Sequence, residues 1–198
     1  MHTEGGGVLV VTARSAARTR DNQTIAQAPP GLLADLCGMS VEESARLEAG
    51  SLAFRLWNCD VPCGAGYEIL KAHGAEVIAA WKAPADQPPC AAAGEPAVTA
   101  HKVARGCVIY VGTYLSDENA PMILDLALSY ARIEPLAQAP EAVEVTRRRH
   151  VDRQLTFVLN HYPQPQKITR LPKGVDLLSQ RPCDGEMELG PYGVAVIE

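Results

Sequence analysis

Residues 7–13 read GVLVVTA, a continuous apolar run that is rich in valine. Such a run predicts a strand buried on both faces, as in a parallel α/β sheet. Residues 4–7, EGGG, are typical of a helix end, because glycine is favoured just past a helix C-terminus. A parallel strand also needs a crossover connection and a neighbouring strand. The run therefore predicts that the sequence begins in the middle of a fold and that further structure precedes residue 1.

The first predicted domain, residues 1–138, has the pattern of an α/β layer. Two runs around a short glycine turn, residues 97–103 and 107–112, predict a hairpin. Residues 119–133 predict the longest helix, capped by Asn119, with an apolar stripe at Ile123, Leu126, Ala127 and Tyr130. The remaining expectations are a short helix at 30–36, strands at 51–57 and 76–81, a helical turn at 67–73, loops at 14–30 and 83–96, and either a strand or a helix at 41–47.

A second domain is predicted at residues 139–198, after a linker flanked by Pro135 and Pro140. Strand candidates recur about every ten residues, as expected for a small antiparallel β-sandwich. They lie at 143–147, 155–161, 167–171, 175–178 and 192–197. The last belongs to the closing stretch MELGPYGVAVIE, residues 187–198, in which a Gly-Pro turn precedes a final apolar strand.

Composition limits the classes of partner. The net charge is −5 and aromatic residues make up only 5% of the 198 residues, so neither nucleic acid nor an anionic membrane is an expected partner. No apolar stretch approaches the roughly 20 residues that a membrane span requires. The apolar run near the N-terminus is too short, and lacks the preceding Lys or Arg, for a signal peptide. We therefore expect a cytoplasmic protein whose cysteines are mostly reduced.

The cysteines suggest two weak chemical hypotheses. Of the six cysteines, only Cys59 and Cys63 are close in sequence, and no second pair or histidine stands at zinc-ligand spacing. Cys63-Gly64 could suggest a nucleophile, but a nucleophile elbow needs glycines two residues before and after it, where Val61 and Ala65 stand. We assign no metal and no cofactor, and we expect these cysteines to be packing residues near a loop.

Other candidate residues also fail to form a catalytic set. The adjacent Glu42 and Glu43 would point apart in a strand or a helix, whereas Asp117 and Glu118 suit the N-terminus of the predicted helix. The five histidines are scattered and there is no phosphate-binding loop. The basic run at 147–150, RRRH, lies between two predicted strands and is expected to be a solvated hairpin end. No catalytic residue is assigned, and a binding or assembly module is favoured over an enzyme.

Several segments in order resemble the C-terminal part of the family-42 glycoside hydrolases, the bacterial β-galactosidases. The resemblance rests on GGGVLVVTARSAARTRDNQ (5–23), PPGLLADLCGMSVEE (29–43), AEVIAAW (75–81), EPAVTAHKVARGCVIYVGTYL (95–115), VEVTRRR (143–149), LTFVLNH (155–161), DLLSQ (176–180) and PYGVAVIE (191–198). The family's order is a catalytic barrel, an amidotransferase-like α/β domain involved in trimer formation, and a closing β-sandwich. This sequence is similar to the second half of the middle domain plus the sandwich.

The resemblance implies a non-catalytic region that supports a homo-oligomer, a trimer by analogy with the family. The galactoside substrate would be bound only by the full-length parent enzyme, whose two catalytic glutamates have no counterpart here. Two alternatives remain open. One is a carbohydrate-binding module that uses Trp57 or Trp81 as a stacking platform, and the other is a cysteine hydrolase of amidotransferase-like fold that uses Cys63.

Overall fold

The computed structural model describes residues 2–3, 5–48, 50–83 and 91–198. The chain divides into two compact units, Met1–Ile133 and Glu134–Glu198. In the part that the structure describes, strands predominate and helices are few. No helix among the described residues is both long and apolar enough to span a membrane.

The first unit contains eight strands and two α-helices in its described part. The strands are β1 (Val8–Thr12), β2 (Met39–Ala45), β3 (Ala53–Leu56), β4 (Cys59–Pro62), β5 (Tyr67–Ala72), β6 (Glu76–Lys82), β7 (Pro96–Val103) and β8 (Gly106–Val111). A 3₁₀ turn, Gly31–Leu33, leads into the short helix α1 (Ala34–Cys37), and α2 spans Ala120–Ala131. Six strands form one sheet in the order β1-β8-β7-β6-β3-β4, and β2 pairs with β5 separately.

The expectation of a parallel α/β sheet is only partly correct. Strand β1 does pair in parallel with β8, with Val8 opposite Cys107, as the apolar run predicts. All other strand pairs in the described residues are antiparallel. Short turns allow this pairing directly for β3 with β4 and for β7 with β8. Moreover, β1 is the edge strand of the sheet, and Leu9 is partly exposed. The prediction of a strand buried on both faces was therefore wrong for this chain.

Some of the other local predictions are confirmed and others are wrong. The hairpin β7–β8, the short helix ending at Gly38 and the helix α2 are confirmed. Asn119 stands at the N-cap of α2, but its side chain does not cap the helix, because it bonds the backbone of Ser116, Pro62 and Tyr114 instead. The ambiguous stretch 41–47 belongs to a strand, β2, as far as Ala45. The helical turn predicted at 67–73 is wrong, because this segment is the strand β5. Of the loop predicted at 83–96, residues 84–90 lie outside the described residues.

The second unit is one five-stranded antiparallel sheet in the order β12-β11-β13-β10-β9. The strands are β9 (Val143–His150), β10 (Arg153–Asn160), β11 (Gln166–Asp176), β12 (Arg181–Leu189) and β13 (Val194–Ile197). The antiparallel prediction is confirmed, but one continuous sheet replaces the two sheets of a sandwich. The strands predicted at 167–171 and 175–178 are one strand, β11, whose pairing with β12 shifts register between Thr169 and Lys173. Strand β12 was not predicted.

Candidate functional site

Glu68 is the buried carboxylate at the centre of the first unit's polar network. It lies on β5, and only 2% of its surface is exposed. Its Oε1 accepts a hydrogen bond from the backbone N–H of Arg14 at 2.9 Å, and its Oε2 accepts one from the hydroxyl of Tyr110 at 2.7 Å. The indole N–H of Trp81 donates to the backbone oxygen of Glu68 at 2.9 Å. One acidic residue thus connects the loop after β1 with β5, β6 and β8.

Burial governs the electrostatics of this network. It raises the pKa of Glu68, although the hydrogen bonds from Tyr110 and Arg14 act in the opposite direction. Burial also raises the pKa of the Tyr110 hydroxyl, and the neighbouring charge of Glu68 raises it further. A buried carboxylate is tolerable only when its oxygens are hydrogen-bonded. The two donors meet that requirement and fix the position of the side chain.

A small pocket adjoins this network between the ends of several strands. Its volume is about 80 Å³, and Arg14, Arg46, Glu68 and Tyr114 contribute to its lining. This volume corresponds to about two to three water molecules, since each occupies about 30 Å³ in the liquid. A sugar ring does not fit. The network is therefore suited to holding strands together, not to binding a galactoside.

The cysteine hypotheses find no support in the geometry. Cys59 is exposed at the start of β4, whereas Cys63 is 1% exposed just after that strand. The side-chain amide of Asn119 donates to the backbone oxygens of Pro62 and Tyr114, which pins the segment next to Cys63. No group of three potential metal ligands occurs among the described residues. A thiol this deeply buried is not accessible to a substrate, so the geometry argues against Cys63 as a nucleophile.

The candidate carboxylates do not converge either. Glu42 forms an ion pair with Lys71 at 2.9 Å, whereas Glu43 accepts a hydrogen bond from the hydroxyl of Tyr67 at 3.5 Å. Asp117 and Glu118 are exposed before α2, as the sequence suggested. The basic run at 147–150 forms the largely exposed end of β9, and His150 pairs with Arg153 across the two-residue turn to β10. The expected solvated hairpin end is therefore confirmed, although the run is part of the strand itself.

The two candidate stacking platforms differ in how much of their surface is exposed. Trp81 is 2% exposed and packs edge-on against Phe54 and Tyr67, so it cannot face a ligand. Trp57 is 56% exposed at the turn between β3 and β4. Both lie in the first unit, as the sequence indicated.

The sequence did not single out Glu68, the residue on which the network depends. Its segment, YEILKA, was interpreted as a helical turn. The available signal was one acidic residue, Glu68, beside the apolar residues Tyr67, Ile69 and Leu70. In a strand buried on both faces, the carboxylate of such a residue must find its hydrogen-bond donors within the protein.

Comparisons with known proteins give matches that extend over the whole chain. Residues 1–134 match the family described as the β-galactosidase trimerisation domain, and residues 142–198 match the β-galactosidase C-terminal domain. The β-galactosidase LacZ of Heyndrickxia coagulans is 27% identical over 198 residues, covering 100% of this chain and 29% of that protein. A β-galactosidase of an Arthrobacter species is 30% identical over 175 residues, covering 83% of this chain and 23% of its own length.

Solved structures agree with these matches. The β-galactosidase of Bacillus circulans sp. alkalophilus superposes with a TM-score of 0.82 at 23% identity, covering 98% of this chain and 29% of that one. The enzyme of the haloarchaeon Halorubrum lacusprofundi gives a TM-score of 0.73 at 26% identity, covering 100% of this chain and 28% of its own. The chain thus spans less than a third of the length of these relatives. It belongs to the family-42 glycoside hydrolases and corresponds to their trimerisation domain followed by their C-terminal domain.

Proposed function

We propose that this chain is the assembly region of a β-galactosidase, supporting a homo-oligomer, with a trimer as the expected state. The observation that carries the proposal is the match of residues 1–134 to a family described as a trimerisation domain. Most of the first unit is one sheet with a common apolar core, which gives a stiff body suited to presenting a fixed interface.

The proposed role is structural because Glu68 and the candidate Glu42 are both engaged in contacts within the chain. Glycoside hydrolysis requires two carboxyl groups about 5–10 Å apart on either side of a bound sugar. Glu68 is enclosed and hydrogen-bonded, and Glu42 is paired with Lys71. We infer that hydrolysis of terminal β-galactosides, and binding of the galactoside, belong to a full-length parent enzyme, in keeping with relatives more than three times as long.

An amidotransferase-like continuation of the first sheet is part of the same proposal. Strand β1 pairs with β8 on one side, and its other side is an edge of the sheet in this chain. An edge strand presents unpaired backbone groups that can accept another strand. In the parent enzyme we propose that additional parallel strands continue the sheet beyond β1.

The proposed compartment is the cytoplasm. Five cysteines, Cys37, Cys59, Cys63, Cys107 and Cys183, are unbridged in the described residues. Unbridged thiols are typical of a reducing compartment. Cysteine labelling of the protein in intact cells, compared with a periplasmic marker, would test this placement.

Self-association is tested by sedimentation velocity and light scattering of the 198-residue chain over a wide concentration range. The expected assembly has three times the 21.2 kDa mass of one chain. A chain that stays monomeric at every concentration contradicts the proposal. Hydrolysis of a nitrophenyl β-galactoside by the purified chain, with contaminating host enzyme excluded, would contradict the non-catalytic role.

A further inference from the structure

The turn between β3 and β4 presents a tryptophan in an unfavourable backbone conformation. Leu56 pairs with Cys59, so Trp57 and Asn58 form a two-residue turn. Trp57 has a φ of 52°, in the left-handed region that bulky side chains rarely adopt and that glycine and asparagine prefer in such turns. Its indole is 56% exposed. This backbone conformation therefore costs local stability, while more than half of the residue's surface remains exposed.

The hairpin that carries Trp57 is braced. Asp60 on β4 binds the guanidinium of Arg55 on β3 at 2.8 Å and the ammonium of Lys82 on β6 at 3.0 Å. These charges are exposed, so each pair stabilises the hairpin only modestly. Together with the strand pairing, they hold the hairpin against the sheet. An anchor that is ordered before binding loses less entropy on association.

A cationic pocket lies toward the other end of the same sheet. It is about 540 Å³ in volume and lies beside the β7–β8 turn and the end of α2. Lys102, Arg105, Arg132 and Tyr130 contribute to its lining. The three cations form no ion pair with any residue that the structure describes. Burial, together with the charge of the nearby Glu76 carboxylate, raises the pKa of the lining residues Tyr130 and Cys107. The pocket is large enough for an indole, and its three cations outnumber that one carboxylate. It is therefore a suitable receptor for an aromatic ring.

We propose that Trp57 of one copy inserts into the cationic pocket of a second copy of this chain; this inference rests on the proposed self-association. The indole would lie against the guanidinium of Arg105 or Arg132 in a cation–π contact. Tryptophan and arginine are the residues most enriched at interface hot spots. Trp57 occupies the convex tip of a hairpin, whereas sugar sites are concave, which favours a protein partner over a carbohydrate.

The positions of the two features determine the type of assembly. Strands β3 and β4 end the sheet on one side, and β1 and β8 end it on the other, next to the pocket. A contact between different surfaces of identical chains is heterologous, and it closes into a ring when the rotation per subunit permits. A trimer is one such ring.

Trp57→Asn is the decisive variant, because asparagine tolerates the left-handed turn and the monomer should be at least as stable as the wild type. We expect its dissociation constant to rise at least about tenfold, as for removal of an interface hot spot. Arg105→Glu, on the pocket side, should show a similar loss. Tyr162→Ala, an exposed aromatic residue of the second unit, and Arg148→Glu, an exposed arginine there, are matched controls that should stay within about twofold of wild type.

Tryptophan fluorescence provides an independent readout, because Trp81 is buried and Trp57 dominates quenching by acrylamide. Quenching should fall as the wild-type concentration rises, and this change should be absent in Trp57→Asn. If the wild type assembles and Trp57→Asn assembles equally well, this inference is overturned while the proposed self-association stands. A monomeric wild type overturns both. Protection of Trp57 by lactose at constant protein concentration would show that the occupant is a sugar and would also overturn the inference.

Discussion

Removing the hydroxyl of Tyr110 should destabilise the first unit substantially. Tyr110 is fully buried, and its hydroxyl donates to Oε2 of Glu68 at 2.7 Å. Tyr110→Phe retains the ring and its packing but leaves a buried carboxylate oxygen without this donor. An unsatisfied buried polar group costs about 1–3 kcal/mol, and a charged group lies at the upper end of that range. We therefore expect the free energy of unfolding to fall by about 2–3 kcal/mol at pH 8.

The loss should depend on pH in a defined direction. Burial raises the folded-state pKa of Glu68 above its ordinary value of 4.5, so its contribution to stability is greatest below 4.5 and is lost as pH rises through the raised value. The Tyr110 hydroxyl opposes that rise by stabilising the charged form. Tyr110→Phe should therefore raise the pKa of Glu68 further. Its cost should be smaller at pH 5 than at pH 8, because the neutral acid is less costly to bury.

Urea unfolding monitored by tryptophan fluorescence is a suitable assay, since the indole N–H of Trp81 donates a hydrogen bond to the backbone oxygen of Glu68. Glu68→Gln is the matched background, because its amide cannot ionise. In that background Tyr110→Phe should cost about 1 kcal/mol or less, the net value of a neutral hydrogen bond. The explanation is refuted if Tyr110→Phe costs under about 0.5 kcal/mol at pH 8, or costs the same in both backgrounds and at both pH values.

Two further predictions concern other sites. Burial by itself would raise the pKa of Asp176, but hydrogen bonds from Ser179 and the backbone N–H of Val196 outweigh it and hold the pKa below 3.8. Stability from this lowered pKa is present above 3.8 and is lost as pH falls through the folded-state value. Asp176→Asn should therefore lower the free energy of unfolding by about 2 kcal/mol at pH 7 and by much less in acid, as chemical denaturation at the two pH values can show; an equal loss at both would contradict this. Because Cys59 is exposed and Cys63 is buried, Cys59→Ser should remove one rapidly labelled thiol in a thiol-exchange assay, whereas Cys63→Ser should remove none. If Cys63→Ser also removed one rapidly labelled thiol, the thiol of Cys63 would be accessible and the prediction would be wrong.

Local patterns were sufficient for some elements. The β7–β8 hairpin and α2 follow from glycine and proline placement and from residue periodicity, because their hydrogen bonds join residues close in sequence. The order and spacing of the quoted segments were sufficient to identify the family, which the matches over 1–134 and 142–198 confirm. The placement of Trp57 and Trp81 outside the C-terminal unit was also correct.

Strand β12 shows why other elements were missed. Its sequence, RPCDGEMEL, mixes a proline, a glycine and three acidic residues, which locally resembles a loop. It is a strand because it pairs with β11, placing Cys183 and Leu189 against the core of the second unit. An edge strand can carry proline and charged residues, since one side of its backbone faces no partner.

Local sequence information was enough for the family and for those elements whose hydrogen bonds join residues close in sequence. Tertiary structure alone decided that β1 lies at a sheet edge, that residues 67–72 form a strand, and that Glu68 is the centre of a buried network. The partners of Glu68 are Arg14 and Tyr110, which are 54 and 42 positions away. Pairing over such distances depends on which strands meet after chain closure, and no short window of sequence contains that information.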